Sequence, residues 1–242
     1  MMRHLLSSLL ERYVRGTAVG WVRFGSLRRR TPIGAVFGLQ RGHSLDLCID
    51  RFYIEHFLRR YAADIRGVVL EVGDNTYTHR FGGSRVFQSE VLHAAPGNAE
   101  ATIVADLSRA DHLAANMFDC VILTQTLQYI YDVRAALRTL YRILRPGGVL
   151  LATCPGLSQM SRRDAEQWGE YWRFTTFSLR RLCAEEFPQQ RVLVQSYGNV
   201  LVAVAFLHGL LMTELRPEEL EYHDPDYEVL ITVRAQKPAA GS

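Results

Sequence analysis

The chain has 242 residues, 48% of them hydrophobic and 22% charged, with a formal net charge of +3. That length and composition support one substantial core and fall short of two full domains, and so balanced a charge does not mark a nucleic-acid binder. Four widely spaced cysteines, Cys48, Cys120, Cys154 and Cys183, form no CxxC pair, zinc cluster or disulfide framework, so free thiols in a reducing cytoplasm and no metal site are expected.

The basic charge is concentrated at the start. Residues 1–45 hold eight Arg against Glu11, a net of +7; since the whole chain totals +3, the remainder totals −4. Lys237 is the sole lysine. Leu5, Leu6, Leu9, Leu10, Tyr13 and Val14 recur at helical spacing with Arg on the other face. This predicts an amphipathic helix that packs on the domain, or a surface that meets an anionic substrate, partner or lipid. No continuous apolar stretch of the kind a secretory signal needs stands there. Pro32, Gly34, Gly38 and Gly42 mark irregular chain, and His43 lies in it. Asp50 is then placed to cap a helix whose face is Phe52, Tyr53, His56, Phe57, Arg60 and Tyr61.

After Gly67 the pattern changes. Short apolar strands are predicted at 68–72 (VVLEV), 84–92 (SRVFQSEVL), 101–107 (ATIVADL), 118–124 (FDCVILT) and 145–155 (RPGGVLLATCP), the last fed by a Pro-Gly-Gly turn. An amphipathic helix starts at Asp132 (DVRAALRTLYRIL). Helix 178–187, strand 191–197, a buried helix over 200–212 and a closing strand over 227–237 follow. The apolar run over 200–212 is too short to span a bilayer. Strands alternating with helices predict an α/β fold: a seven-stranded, mostly parallel sheet with an antiparallel edge and helices on both faces. The predicted organisation is a basic helical or irregular extension over 1–45, one domain over 46–236, and a disordered tail over 237–242.

In an open α/β sheet the ligand crevice lies beyond the carboxyl ends of the strands, where the strand order switches. The predicted strand ends bring Glu71, Gly73, Asp74 and Asn75 together with Glu90 and Val91, Asp106 and Leu107, and Thr124 and Gln125. This set resembles the class I S-adenosylmethionine-dependent methyltransferases. VLEVGDNTYT is similar to their first motif. Glu90, 19 residues beyond Glu71, falls where the family places the acid that binds ribose hydroxyls. VADL is similar to the segment whose acid meets the adenine amino group, FDCVILTQTLQYIYD to the fourth-strand motif, and LRPGGVLLAT to the turn before the fifth strand. The resemblance covers residues 68–155. DRFYIEHFL, WGEYWRFT, SYGNVL and DPDYEVLITVRAQK extend it over 32–237 to the type 11-like methyltransferases of a bacterial group linked to glycan and natural-product pathways. It implies a Rossmann-like fold and S-adenosylmethionine as cofactor, released as S-adenosylhomocysteine.

The loop departs from the family pattern, because Gly73 stands alone where two or three glycines are usual. Asn75 is the least damaging replacement, since Asn tolerates positive φ better than other non-glycine residues. The helix after the loop must be very short, because the second strand begins about a dozen residues after Gly73. The cofactor carries no phosphate and needs less backbone cradling than a pyrophosphate; Glu71 and Asp74 would offer it negative charge. A dinucleotide fingerprint would need glycines where Asn75 and Thr78 stand. Glu90 also reads as a surface carboxylate, and Asp106 as the cap of a turn at Ser108.

For the reaction, TQTLQ after the fourth strand lacks the motif typical of nucleobase amino-group methylation. Gln125 and Cys154-Pro155 lack the carboxylates of metal-assisted catechol methylation. The expectation is O-methylation of a glycan-related or secondary-metabolite acceptor. Such a hydroxyl benefits from a general base, and His43, His79 and Glu170 are the candidates. Tyr129, Trp168, Tyr171, Trp172 and Arg173 are the candidate acceptor residues, each also readable as packing. The other reading is a non-catalytic subunit or scaffold that docks a partner through its Arg-rich N-terminus. Peripheral membrane contact and a homodimer are compatible with the sequence.

Overall fold

The computed structural model describes Thr31 and residues 47–241. The helix expected within residues 1–45 and the candidate base His43 lie outside them.

Seven strands form one sheet: β1 (Gly67–Val72), β2 (Val86–His93), β3 (Ile103–Val104), β4 (Phe118–Thr124), β5 (Leu144–Pro155), β6 (Val192–Tyr197) and β7 (Leu230–Gln236), in the spatial order β3-β2-β1-β4-β5-β7-β6. Pairings from β3 through β5 are parallel, whereas β7 runs antiparallel to both β5 and β6. β3 is shorter than predicted. Only Ile103 and Val104 are strand, although the backbone bonds Thr102 N to Val91 O and Ala105 N to His93 O continue the contact on either side. The Pro146-Gly147-Gly148 turn is absorbed into β5 as a register shift against β4, with Gly147 at φ +84°.

Among the described residues, six α-helices flank the sheet: α1 (Ile49–Arg60), α2 (Val133–Ile143), α3 (Arg162–Trp168), α4 (Thr176–Ala184), α5 (Val200–Leu207) and α6 (Pro217–Glu221). Asp132 caps α2 by accepting from Ala135 N, as its position before the apolar stripe predicts. Asp50 does not cap α1. The cap position is Cys48, and Asp50 sits inside the first turn, where its carboxylate still favours the helix dipole. The buried helix expected over 200–212 ends at Leu207, before Gly209 at φ +71°. Between β1 and β2 there is one turn of π-helix, Thr78–Gly82, and a 3₁₀ turn.

Both faces of the central strands are buried, so side-chain alternation divides the core in two. On β4, Val121 and Leu123 join Leu137, Leu140 and Leu179 of α2 and α4. Cys120 and Ile122 join Tyr53, Phe57, Val202 and Phe206 of α1 and α5. All four cysteines are buried thiols. Lys237, assigned from sequence to the tail, is instead tied to β5: its backbone N–H donates to Gly148 O, and its ammonium donates to Leu144 O at 2.7 Å and Asn116 Oδ1 at 2.9 Å.

Candidate functional site

The strand order reverses between β1 and β4, and a cleft of about 800 Å³ opens at the carboxyl ends there. Val72 and Gly73 follow from β1, Leu92 and His93 from β2, and the Ala105–Arg109 turn from β3. Thr124–Thr126 and the stretch from Tyr129 to Asp132 come from the segment after β4, while Asp164, Trp168 and Tyr171 reach over from the segment around α3.

Gly73 lies at φ +97°, and a Cβ built on it would meet nothing within 4 Å, so bare backbone faces open cleft space. This is where a ligand can come closest to the chain. The acid before it plays a different part from the one expected. Glu71 is buried and does not line the cleft. Its carboxylate accepts from Tyr77 N, from Thr78 N at 2.7 Å and from Thr78 Oγ1 at 2.7 Å. It therefore ties down the donors that a short helix leaves unpaired. Burial raises its pKa to about 7, partly offset by the Thr78 and Tyr77 hydrogen bonds. Arg51 of α1 closes this knot from outside by donating to the Tyr77 hydroxyl. Asp74 is exposed and accepts from Thr76 N; neither it nor Asn75 lines the cleft.

The second strand shifts the expected acid out of the site. Glu90 pairs with Leu70, three residues short of the strand end, and accepts from the Gln88 amide. It does not line the cleft, and neither does the buried Val91 beside it. His93 holds the strand end instead. Its Nδ1 is 2.6 Å from Ala95 O, and its ring meets Trp168 edge-on, with centroids 5.3 Å apart. Spacing from Glu71 points to Glu90; the strand's own end, had it been located, points to His93. Asp106 and Leu107 do line the cleft. Asp106 Oδ1 accepts from Ser108 N and Oγ, so it also caps its turn.

After β4, Gln125 adopts φ +47°, uncommon for a non-glycine residue, while its N–H donates to Thr153 O. The side-chain Nε2 of Gln125 and the Oε1 of neighbouring Gln128 are buried without a hydrogen-bond partner. A strained backbone and an orphaned amide at a cleft wall mark a functional position. Tyr129 stands next along the wall. Its hydroxyl lies 3.4 Å from Asp164 Oδ2, and burial followed by the Asp164 and Glu170 charges pushes its pKa up to about 12. Tyr131 and Asp132, at the end of the fourth-strand motif, also line the cleft, and so do Arg109 and Asp164, which no sequence motif marks.

In the covering segment, three candidate residues bond to the protein itself. Glu170 is no open base. Its nearly sealed carboxylate accepts from Ser161 N and pairs with Arg173 at 2.6 Å. Arg173 also donates to Ser158 O and Gln159 O, so it holds the loop rather than a ligand. The Trp172 indole donates to Ile130 O outside the cleft lining. His79 is exposed on the π-turn and also lies outside that lining. Trp168 and Tyr171 do line the cleft; Tyr171 packs edge-on against Tyr131.

Comparison with known proteins agrees with this geometry. Residues 85–152 match the family described as a methyltransferase domain. A 46-residue stretch is 46% identical to the ubiquinone/menaquinone biosynthesis C-methyltransferase UbiE of Haemophilus ducreyi, spanning 18% of each protein. Among solved structures, an S-adenosylmethionine-dependent methyltransferase from Archaeoglobus fulgidus is 12% identical with a TM-score of 0.52, over 77% of this chain and 94% of that one. The [4+2]-cyclase SpnF is 14% identical with a TM-score of 0.51 over 95% of each chain. Phosphoethanolamine N-methyltransferase 2 of Haemonchus contortus, in complex with S-adenosyl-L-methionine, is 15% identical with a TM-score of 0.50, over 94% of this chain and 59% of that one. At such identities the structural likeness establishes the fold, and one fold hosts more than one chemistry. The matched segment runs from before β2 into β5, and the chain has the Rossmann-like fold of the class I S-adenosylmethionine-dependent methyltransferases.

Proposed function

We propose that the chain is an S-adenosylmethionine-dependent methyltransferase acting on a hydroxyl of a glycan-related or secondary-metabolite acceptor. The observation that carries the cofactor assignment is the open face of Gly73 at φ +97°, set in the switch-point cleft between the ends of β1 and β4. S-adenosylmethionine supplies an electrophilic methyl group on a sulfonium. Gly73, Asp106, Leu107, Thr124 and Gln125 are the residues that would hold it.

The protein's task in such a displacement is alignment and exclusion of water. Trp168, Tyr171 and Tyr129 supply aromatic lining for an acceptor. With His79 remote and Glu170 locked to Arg173, Asp164 is the carboxylate of the cover that reaches the cleft. It is placed to take a hydroxyl proton, with Tyr129 as its neighbour.

Calorimetric titration of S-adenosylhomocysteine into the purified protein tests the reading. The ligand should stabilise the protein by about 2.7 kcal/mol at a hundred times its dissociation constant. Gly73→Trp, which fills the open face, should abolish binding, and Asp106→Ala should weaken it at least about tenfold by loss of a polar contact. Absence of binding by folded wild-type protein would leave the fold as a non-catalytic subunit. The partner would then be sought at the Arg-rich segment before Thr31.

A further inference from the structure

We propose that the cover of the cleft is a docking face for an anionic lipid bilayer, and that the acceptor is an amphiphile held in that bilayer. The docking stands on the surface itself; the acceptor assignment rests on the methyltransferase reading above.

Of the twelve large hydrophobic side chains exposed among the described residues, five lie within residues 157–177 and a sixth, Tyr131, packs on them. The five are Leu157, Met160, Tyr171, Trp172 and Phe177; Phe177 is 80% exposed and Tyr131 72%. Local contacts join them into one surface. The Tyr131 ring meets Tyr171 and Trp172 at centroid distances of 5.3 Å and 6.0 Å. The Trp172 indole is anchored on Ile130 O. Arg173 bonds the Ser158 and Gln159 carbonyls and so holds the loop of Leu157 and Met160 beside the aromatic group. Tyr131 and Tyr171 also line the cleft, so the surface begins at its rim. A cluster of this kind beside a cleft marks an interaction site.

Charge selects the occupant. The exposed charged residues within 157–181 are Arg162, Arg163, Arg180 and Arg181 against Glu166, a net of +3 (4 − 1), although the chain beyond residue 45 totals −4. Arg180 lies over the Phe177 ring, 6.0 Å from its centroid. Aromatic rings mixed with Arg and aliphatic side chains settle where lipid headgroups meet hydrocarbon, and each cation gains from anionic lipid. The apolar groups stand on a loop, a helix start and the turn before α2 rather than along one groove, which suits a fluid surface better than a shaped partner. An acceptor that reaches a cleft so placed carries an apolar chain and presents its hydroxyl at headgroup level.

Co-sedimentation of the full chain with vesicles tests the docking. Wild type should partition into mixed phosphatidylglycerol and phosphatidylcholine vesicles and not into phosphatidylcholine alone. The double variant Met160→Asp, Phe177→Asp should lower partition at least about tenfold, because burying such side chains is worth that factor or more. Arg162→Gln and Arg163→Gln should each lower it about fivefold. These positions are exposed and outside the cleft lining, so near-ultraviolet circular dichroism should match wild type. Vesicles should also slow tryptic cleavage at Arg162 and Arg163. Any of three results would overturn the docking face: no preference of wild type for anionic vesicles, partition that ignores the Asp substitutions, or cleavage as fast on vesicles as in solution. The second would move the lipid contact to the Arg-rich segment before Thr31. With methyl-labelled S-adenosylmethionine, and membranes of the source cells as acceptor, label should pass into solvent-extractable lipid; absence of labelled lipid overturns the acceptor assignment. Vesicle binding by protein that does not bind S-adenosylhomocysteine sinks the methyltransferase reading and leaves the docking face standing, whereas the reverse sinks the docking face alone.

Discussion

Glu71 shows how one residue can be essential to a loop without touching its ligand. Three donors from Tyr77 and Thr78 converge on its buried carboxylate. Burial nevertheless dominates and moves its pKa from the ordinary 4.5 to about 7. A folded-state value above the unfolded one means that the native protein binds more protons between those limits. Its stability contribution is complete below about 4.5 and is lost as pH rises through about 7. The shift corresponds to roughly 3 kcal/mol. Urea unfolding of wild type and Glu71→Gln at pH 5 and pH 8 should show wild type losing stability relative to the variant by an amount of that order. Parallel profiles would mean that Glu71 stays ionised throughout. In the same neighbourhood residue spacing and strand geometry point to different residues. Counting from Glu71 reaches Glu90 because the count carries no knowledge of where β2 stops. The stop is set by pairing with β1 and by the abbreviated π-turn, which places His93 opposite the bare Gly73 backbone. Asp106, Leu107, Thr124 and Gln125 reach the cleft lining because each lies close to a strand end that hydrophobic patterning already marks.

Among the elements, those with a clear period were readable and the cover was not. β4 occupies Phe118–Thr124, as its apolar run predicts, and α2 starts at its Asp132 cap. α3 is a different case: a seven-residue, mostly polar helix with no buried side chain. No hydrophobic stripe announces it; Ser161 caps it by accepting from Asp164 N, and tertiary bonds hold it in place. Glu170 and Arg173 are those bonds, holding Ser161 and the Ser158 and Gln159 carbonyls around the cover. Breaking such a pair leaves Arg173 partly buried without its counter-charge. Glu170→Ala should therefore cost about 1–3 kcal/mol. It should also speed tryptic cleavage at the exposed Arg162 and Arg163, read by peptide mapping, while S-adenosylhomocysteine affinity stays within about twofold of wild type, a shift below the worth of one hydrogen bond. Unchanged cleavage would show that the cover is held by something other than this pair. A proton-transfer role for Glu170 predicts the opposite pattern, with cleavage unaltered and turnover lost.

At the scale of the whole molecule, the last strand closes the structure. β6 has no neighbour in the sheet except β7, and β7 joins it to β5 through seven residue pairs from Val149–Gln236 to Pro155–Leu230. Ile231, Val233 and Ala235 enter the core on one face of the sheet and Leu230 the core on the other. Gly156 packs so closely against this strand's approach that a Cβ there would overlap the Glu228 carbonyl. Removing β7 thus uncovers both cores and strands β6 at once, a loss far beyond a stability margin of about 5–15 kcal/mol. Truncation after Tyr227 should abolish cooperative thermal unfolding by near-ultraviolet circular dichroism, even though every residue lining the cleft is still present. Truncation after Ala239 should leave the melting temperature unchanged, because Lys237 and its bonds to Leu144 and Asn116 remain. A chain ending at Tyr227 that still melted cooperatively would place the folding unit in the five strands from β1 to β5. In that case β6 and β7 would be an addition to the methyltransferase fold rather than its closure.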